Sequence, residues 1–434
     1  MDFRRSRKGN PADRGKLLPW PKGQSEAPEA ASQPRTWRRT VHRLLPGFVT
    51  GAADVDPSLV ITATVAGAAF GYSLLWVVLL CVPFLIAVFA VSGRLGFQTR
   101  RGLVDLLRTT YGVRLAIACA VVIIAINMAM IVADLMAVSD AFSIILRVPR
   151  IYFVAVVAFS VWYFLIFRDY RRITRLLTFL ALPLFVYVAA AIVAAPSAGA
   201  VLTRTFVPRV MHTTSYVAAI VGIMGSLLTP YVLVWQTSSR REQAESGGEA
   251  PHHAEGHTGT FITTLLAYSV MVASASVLRL PHPVNMTTMQ AAEALRPAVG
   301  DYGQLLFAIG IIGAGMVALP VLVASMCYSV AEAMGWETGL SRHPWEAKSF
   351  YGLISAAMVL ATLLNFIPIN PVKALYLSQI LAGILTIPIL LLILVLSNDR
   401  RIVRSTNTRG QNFWIGAAIG GLLSAGIVLL LWKI

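Results

Sequence analysis

The chain has 434 residues, of which 57% are hydrophobic and only 13% are charged, with a mean hydropathy of +0.71. This composition excludes an ordinary soluble domain and predicts an all-α polytopic membrane protein. The formal net charge is +16, but the basic residues are concentrated in the amino-terminal tail and in short segments between apolar runs. That distribution is typical of membrane topology rather than of a nucleic-acid-binding face, so we expect no nucleic-acid partner.

Residues 1–45 are rich in Arg, Lys, Pro, Ser and Gly and contain no apolar run of the kind found in a signal peptide. We expect a disordered, basic cytoplasmic tail that contacts anionic lipid. The three cysteines, Cys81, Cys119 and Cys327, fall within apolar runs and show no metal-ligand spacing. They therefore predict neither a disulfide framework nor a zinc site, and nothing else in the chain indicates a cofactor.

Apolar runs of about 18 to 25 residues, the length that a helix needs to cross the hydrocarbon core, recur along the rest of the chain. They predict eleven transmembrane helices, at residues 46–70, 72–92, 113–140, 151–167, 174–195, 213–236, 259–279, 303–333, 349–367, 374–396 and 412–432. With the tail inside, most of the 36 Lys and Arg residues lie in or beside the inner segments, as the positive-inside rule requires. We expect the chain to lie in the cell membrane, which is the inner membrane where a cell has two. An odd number of spans then places the carboxyl terminus on the side opposite the cytoplasm.

Two of these spans are interrupted by proline. Span 1 is broken at Asp56-Pro57 and span 6 at Thr229-Pro230, five spans later. A pair of interrupted helices at corresponding positions of two halves is typical of the midplane substrate site of an inverted-repeat transporter. The sequence therefore predicts a substrate site between Pro57 and Pro230.

Several groups near the breaks are candidate ligands for a cation. Proline has no amide hydrogen, so carbonyls near Ala53 and Ser226 lose their helical partners and can face an ion. Asp56 is an intramembrane carboxylate and is functional by default, although it could also cap the second half of the helix. Asp54, two residues earlier, faces another side, and a pathway role and a structural role are equally open for it.

Two polar residues in other spans are candidates for an ion pathway or a proton relay. Asp134 lies in span 3 with no neighbouring base, and a relay is favoured slightly over a buried structural role. Gln379 in span 10 could bind an ion, its water or another helix. Between spans 6 and 7, the polar loop 238–258 contains His252, His253 and His257. These histidines could bind metal, but a solvated linker is the favoured interpretation.

Five motifs together resemble the Nramp (natural resistance-associated macrophage protein) family of divalent metal transporters. They are Asp-Pro in span 1, GxxFGYSLLW after it, RLGFQTRRGL after span 2, the span 6 break, and LSQ in span 10. The resemblance implies a leucine-transporter-like 5+5 inverted repeat with broken helices 1 and 6. Residues 46–195 would form the first repeat, 213–396 the second, and 412–432 an additional span.

The chain departs from the family pattern at both breaks. The usual Asp-Pro-Gly-Asn is Asp56-Pro57-Ser58-Leu59 here, and the usual Met-Pro-His is Thr229-Pro230-Tyr231. These changes remove a thioether, an amide and an imidazole, and leave Asp56, the hydroxyls of Ser58 and Thr229, carbonyls and water. Oxygen ligands suit Mg²⁺ or Mn²⁺, whereas sulfur favours softer metals. The sequence is most similar to the divergent Nramp-related branch that includes magnesium transporters.

The residues that carry protons in the family are also largely missing. Asp134 is followed three residues on by Ala137 instead of the usual glutamate, and span 9 has no basic pair. We therefore expect import of Mg²⁺ and/or Mn²⁺ by alternating access, with weak or absent proton coupling. A proton-coupled Mn²⁺/Fe²⁺ importer, an organic-solute symporter and a non-transporting metal sensor are the alternatives. No catalytic motif is present, so we expect no enzyme, and no obligatory protein partner is indicated besides the lipid bilayer.

Overall fold

A computed structural model describes residues 55–167, 182–194, 198–245, 253–278, 280, 282–340 and 344–431. The predicted tail (1–45), Ala53, Asp54 and His252 lie outside these residues. Within the described ranges the regular structure is helical, without a β-strand. The prediction of an all-α chain is therefore confirmed.

The amino-terminal half forms helices that follow the predicted apolar runs. They are α1 (Pro57–Phe70), α2 (Leu75–Thr99), α3 (Leu103–Tyr111), α4 (Val113–Leu146), α5 (Ile151–Phe167), α6 (Val186–Ala194) and α7 (Ala198–Phe206). A positive φ of 58° at Gly71, a conformation that glycine adopts without strain, ends α1. One 3-10 turn, Gly71–Leu74, then leads into α2, where the sequence predicts the boundary between spans 1 and 2.

The carboxyl-terminal half contains the remaining helices. They are α8 (Thr214–Leu227), α9 (Pro230–Glu245), α10 (His253–Val277), α11 (Thr288–Ala292), α12 (Arg296–Val299), α13 (Gly303–Met334), α14 (Lys348–Leu364), α15 (Pro371–Asn398) and α16 (Arg409–Leu431). Local sequence fixes several ends: the Thr213 and Asn370 side chains cap α8 and α15, and Gly335 in the left-handed region ends α13.

Seven helical stretches of the described chain are long and apolar enough to cross a membrane. The number rises to eight if the bent pair Leu182–Ala194 and Ala198–Phe206 forms one span, and α5 and α14 are two shorter apolar helices. The chain is therefore a multi-pass membrane protein. The count of eleven spans stays a prediction, because much of spans 1 and 5 falls on residues that the structure does not describe.

The segment after span 6 is partly helical, whereas the sequence predicts a polar loop over 238–258. Helix α9 continues to Glu245, well beyond the predicted end of span 6, and α10 already begins at His253. Part of the segment 238–258 is therefore helical. The reason lies in tertiary contacts, because Ser238 and Arg241 of α9 are buried and hydrogen-bond to other helices.

Small residues let the helices that surround the two breaks approach closely. A side-chain carbon added at Gly315 of α13 would overlap Val138 of α4 and lie 3.2 Å from the ring of Pro57 at the start of α1. A carbon added at Gly225 of α8 would overlap the backbone of Gln379 in α15. Such contacts are typical of helix packing in membranes, and they bring α4, α13 and α15 against the interrupted helices.

A buried carboxylate fastens three helices together at the carboxyl-terminal end of α13. Glu332 accepts hydrogen bonds from the backbone amides of Val104 and Asp105 at 3.2 and 3.4 Å, and from the Ser238 hydroxyl at 3.0 Å. The guanidinium of Arg241 lies 3.4 Å from the same carboxylate and 5.8 Å from the centre of the Tyr328 ring. We call Glu332, Arg241 and Ser238 the Glu332 cluster. It ties α3 and α9 to α13.

The three cysteines are buried and do not form disulfides. Cys81 is 0% exposed, Cys119 5% and Cys327 1%. All three behave as small apolar side chains of the helix interfaces.

Candidate metal site at the helix breaks

The side chain of Asp56 caps the amino-terminal end of helix α1. Asp56 has an extended backbone (φ −88°, ψ 166°), and Pro57 occupies the first helical position. The Asp56 Oδ1 atom accepts the amide hydrogen of Leu59 at 2.7 Å, which satisfies one of the unpaired amides of the first turn. Asp56 is fully buried. Asp56 therefore caps α1, a role that the sequence left open, and this cap uses only one of its two carboxyl oxygens.

The second break separates α8 from α9 and faces the first. Helix α8 ends at Leu227, Leu228 and Thr229 are non-helical, and α9 starts at Pro230, as the sequence predicts. The Tyr231 hydroxyl donates to Asp56 Oδ2 at 3.3 Å. The two interrupted segments, 175 residues apart, therefore meet through one hydrogen bond. The sequence showed Tyr231 only as a departure from a family motif and did not predict this contact.

A second carboxylate reaches the same helix end from α4. The Ser58 hydroxyl donates to Asp134 Oδ1 at 2.6 Å, and both residues are fully buried. The Oδ2 atom of Asp134 is buried and has no hydrogen-bond partner in the described part of the chain. The structure thus brings Asp56, Ser58 and Asp134 together at the first turn of α1.

Three other predicted residues lie around the second break. Thr229 is buried between α8 and α9, and the hydroxyl of Ser226 donates to the Ile223 carbonyl at 2.9 Å. Both amide atoms of Gln379 are buried without a hydrogen-bond partner among the described residues. Pro230 has no amide hydrogen to donate to the Ser226 carbonyl, so the helical hydrogen bond between these two residues is missing. The roles of Ser226, Thr229 and Gln379 stay predictions.

The two buried carboxyl groups of this region lack a basic partner. Over the described ranges, neither Asp56 nor Asp134 has a Lys, Arg or His within ion-pair distance. The same ranges contain no group of three His, Cys, Asp or Glu residues that could hold a metal ion. The polar groups that meet at the start of α1 are the carboxyl groups of Asp56 and Asp134 and the hydroxyls of Ser58 and Tyr231.

Sequence reasoning also missed a polar contact between α4 and α13. The Asn127 amide donates to the Leu322 carbonyl at 3.2 Å and to the Ser325 hydroxyl at 2.6 Å. Asn127 precedes Asp134 by two helical turns, so both lie on the same face of α4. A search for polar residues at seven-residue spacing in span 3 would have found this face.

Interrupted helices that meet around buried carboxylates, within an apolar helical chain, define a class: multi-pass membrane proteins with a transporter fold. Two solved structures have a similar fold. A variant of the manganese transporter of Eremococcus coleocola aligns with a TM-score of 0.71 and 16% identity, over 93% of this chain and 88% of that chain. MhsT in complex with L-phenylalanine aligns with a TM-score of 0.59 and 13% identity, over 88% of this chain and 98% of that one.

Sequence comparison identifies the family. The Nramp model (natural resistance-associated macrophage protein-like) matches residues 47–433, so the chain belongs to the Nramp family, as its motifs predict. The divalent metal cation transporter MntH of Mesorhizobium japonicum is 29% identical over 298 residues, which span 64% of this chain and 65% of the relative. The MntH of Granulibacter bethesdensis is 23% identical over 92% of this chain and 90% of that protein. These relatives are transporters, so the prediction that the chain is not an enzyme is confirmed.

Proposed function

We propose that this chain imports divalent metal cations, Mg²⁺ and/or Mn²⁺, by alternating access through the site at the two helix breaks. The observation that carries the proposal is a pair of buried carboxylates, Asp56 and Asp134, with no basic partner in the described ranges. A buried carboxylate is expensive at membrane depth unless a cation or a proton compensates it. The names of the MntH relatives and of the Eremococcus coleocola manganese transporter support a metal cargo.

The ligand chemistry supports hard cations. Asp56 Oδ2, the hydroxyls of Ser58 and Thr229, and the backbone oxygen of Ser226 are all oxygen donors, and Thr229 stands where the family usually has a thioether. Mg²⁺ and Mn²⁺ prefer such donors, and Mg²⁺ usually keeps several waters. The Gln379 amide, buried without a partner among the described residues, is suited to hold a coordinated water.

Weak or absent proton coupling forms part of the proposal. The usual proton-carrying glutamate of span 3 and the basic pair of span 9 are missing from the sequence. A membrane potential of 100 mV supplies roughly 4.6 kcal/mol for two charges, which is enough to drive accumulation of a divalent cation without protons.

The proposed topology has eleven spans in two inverted repeats, residues 46–195 and 213–396, followed by an additional span at 412–432. It is supported by the position of the breaks, since α1 and α9 both begin with proline after a non-helical residue. The amino terminus lies in the cytoplasm and the carboxyl terminus outside in this arrangement.

Uptake into proteoliposomes of the purified chain tests the function. Mg²⁺, Mn²⁺ and Ca²⁺ are compared while lumenal pH is followed, with Asp56→Ala as the control. We expect Mg²⁺ and Mn²⁺ uptake without acidification, and its loss in Asp56→Ala. Uptake of Mn²⁺ or Fe²⁺ with acidification would instead identify a proton-coupled importer. Absence of any divalent uptake would refute the proposal and favour an organic-solute symporter or a metal sensor.

A further inference from the structure

The carboxylates of α1 and α4 flank the same helical turn. Asp56 precedes α1 and accepts the Leu59 amide at 2.7 Å, whereas Asp134 accepts the Ser58 hydroxyl at 2.6 Å. Ser58 and Leu59 are adjacent residues of the first turn of α1. Two carboxyl groups therefore hydrogen-bond to the first turn of α1, although 76 residues separate Ser58 from Asp134.

The local positive charge is too small to balance two carboxylates. The amino-terminal end of a helix acts as about half a positive charge. Two carboxylates carry two negative charges, so about one and a half charges remain uncompensated at the start of α1. No Lys, Arg or His of the described ranges is close enough to make up the difference. A divalent cation shared by the two carboxylates would more than offset this remaining charge.

The second oxygen of Asp134 independently indicates a ligand. A purely structural carboxylate is expected to have both oxygens hydrogen-bonded when it is buried. Here Oδ1 is engaged by Ser58, and Oδ2 is fully buried without a partner in the residues that the structure covers. One carboxylate oxygen of α4 is thus held in the interior next to the break with its lone pairs unused.

We infer that Asp134 is a second carboxylate ligand of the transported cation, and that Asp56 and Asp134 together bind one divalent ion at the start of α1. This inference rests on the proposed function and assigns Asp134 a role in binding rather than in proton relay. Ser58 holds Asp134 in place before the ion arrives.

Binding of Mn²⁺ to the purified full-length chain tests the inference directly. Loss of the free Mn²⁺ paramagnetic resonance signal gives a Kd without any transport step. Asp134→Asn keeps the size of the side chain and an acceptor for Ser58 but removes the charge. We expect its Kd for Mn²⁺ to rise by at least about tenfold, which is the lower end of the loss seen when metal-site groups are replaced.

Two matched variants separate binding from structure. Asp140→Asn changes a partly exposed carboxylate of the same helix, and we expect its Kd to stay within about twofold of the native value. Ser58→Ala removes the hydrogen bond and one neutral hydroxyl ligand of the proposed site but leaves the charge of Asp134, so its Kd should change less than that of Asp134→Asn. Equal losses in Ser58→Ala and Asp134→Asn would mean that the charge of Asp134 adds nothing beyond its bond to Ser58 and would overturn the inference. If Asp134→Asn fails to fold, Asp134→Glu replaces it and should bind Mn²⁺ with intermediate affinity.

The experiment also distinguishes failure of the inference from failure of the proposed function. A native chain that binds and transports Mn²⁺ in an Asp56-dependent way, while Asp134→Asn binds with native affinity, would sink the inference alone. An altered lumenal pH response in that variant would then identify a proton relay at Asp134. A native chain that neither binds nor transports a divalent cation would remove the proposed function, and the inference with it.

Discussion

Buried carboxylates occur in two regions of this protein, and their surroundings differ. Glu332 is surrounded by donors: two backbone amides of α3, the Ser238 hydroxyl and the Arg241 guanidinium all lie within 3.4 Å of it. Asp56 and Asp134 receive three hydrogen bonds between them, from neutral groups only, in the described part of the chain. One region is balanced in charge by the chain itself, and the other is not.

This difference is consistent with a structural role for Glu332 and with the metal-binding role proposed for Asp56 and Asp134. A buried ion pair with further hydrogen bonds costs little once it is formed, but it is costly to break by removing one partner. An unbalanced buried carboxylate has no such partner and needs a bound cation or a proton to compensate its charge. We therefore expect changes at Glu332 to affect stability and changes at Asp56 and Asp134 to affect the handling of metal.

Asp56→Ala is expected to have the largest effect on uptake. It removes the carboxylate that both breaks share, so the initial rate of Mn²⁺ or Mg²⁺ uptake into proteoliposomes should fall by at least about 100-fold. The thermal unfolding midpoint of the purified variant serves as a control for folding. Uptake above a tenth of the native rate in a folded Asp56→Ala variant would contradict the assignment of this site.

Glu332→Ala should show the opposite behaviour. It leaves the buried Arg241 guanidinium with only the exposed Glu245 carboxylate, 3.8 Å away, which is expected to cost about 3 kcal/mol of stability. Thermal unfolding in detergent measures the loss, with Asp301→Ala, an exposed acidic residue, as the matched control. The milder Glu332→Gln variant keeps an acceptor and should retain Asp56-dependent uptake. If Glu332→Gln has the native thermal unfolding midpoint but no longer binds Mn²⁺, then Glu332 also contributes to metal binding and the proposed division of roles is wrong.

Thr229→Met should change selectivity more than rate. A thioether at the second break favours softer metals over Mg²⁺, so the ratio of Cd²⁺ to Mg²⁺ uptake should rise by about tenfold. Competition between the two ions in the uptake assay measures this ratio. An unchanged ratio would mean that Thr229 does not face the ion.

Tyr231→Phe should have the smallest effect of this series. Its hydroxyl lies 3.3 Å from Asp56 Oδ2, a long hydrogen bond, and its loss should weaken Mn²⁺ binding by about two- to fivefold. The same change at the exposed Tyr302 is the control. A loss as large as that of Asp134→Asn would mean that the phenol is itself a ligand.

Features of the fold that depend on local chemistry could be predicted from sequence. Proline removes an amide wherever it stands, so Pro57 and Pro230 marked both helix starts correctly. Apolar length marked most helices, although α9 runs on to Glu245 because Arg241 finds a partner 91 residues away. Hydrogen bonds such as those of Arg241 with Glu332 and of Ser58 with Asp134 join residues that are far apart in the chain. They therefore produce no recognisable pattern in the local sequence. The sequence accordingly showed Asp134 as an unusual residue but did not show that it lies beside Ser58.

The burial of Cys81, Cys119 and Cys327 makes the native chain suitable for mapping its orientation by chemical labelling. Thiols that are 5% exposed or less should react little with a membrane-impermeant maleimide. A single cysteine introduced at an exposed position would then be the dominant reactive group. In the proposed topology, Asp301→Cys would be labelled from outside intact cells, and Arg400→Cys only after the membrane is opened. The native cysteines need not be removed, so each reporter can be read in an otherwise unaltered protein.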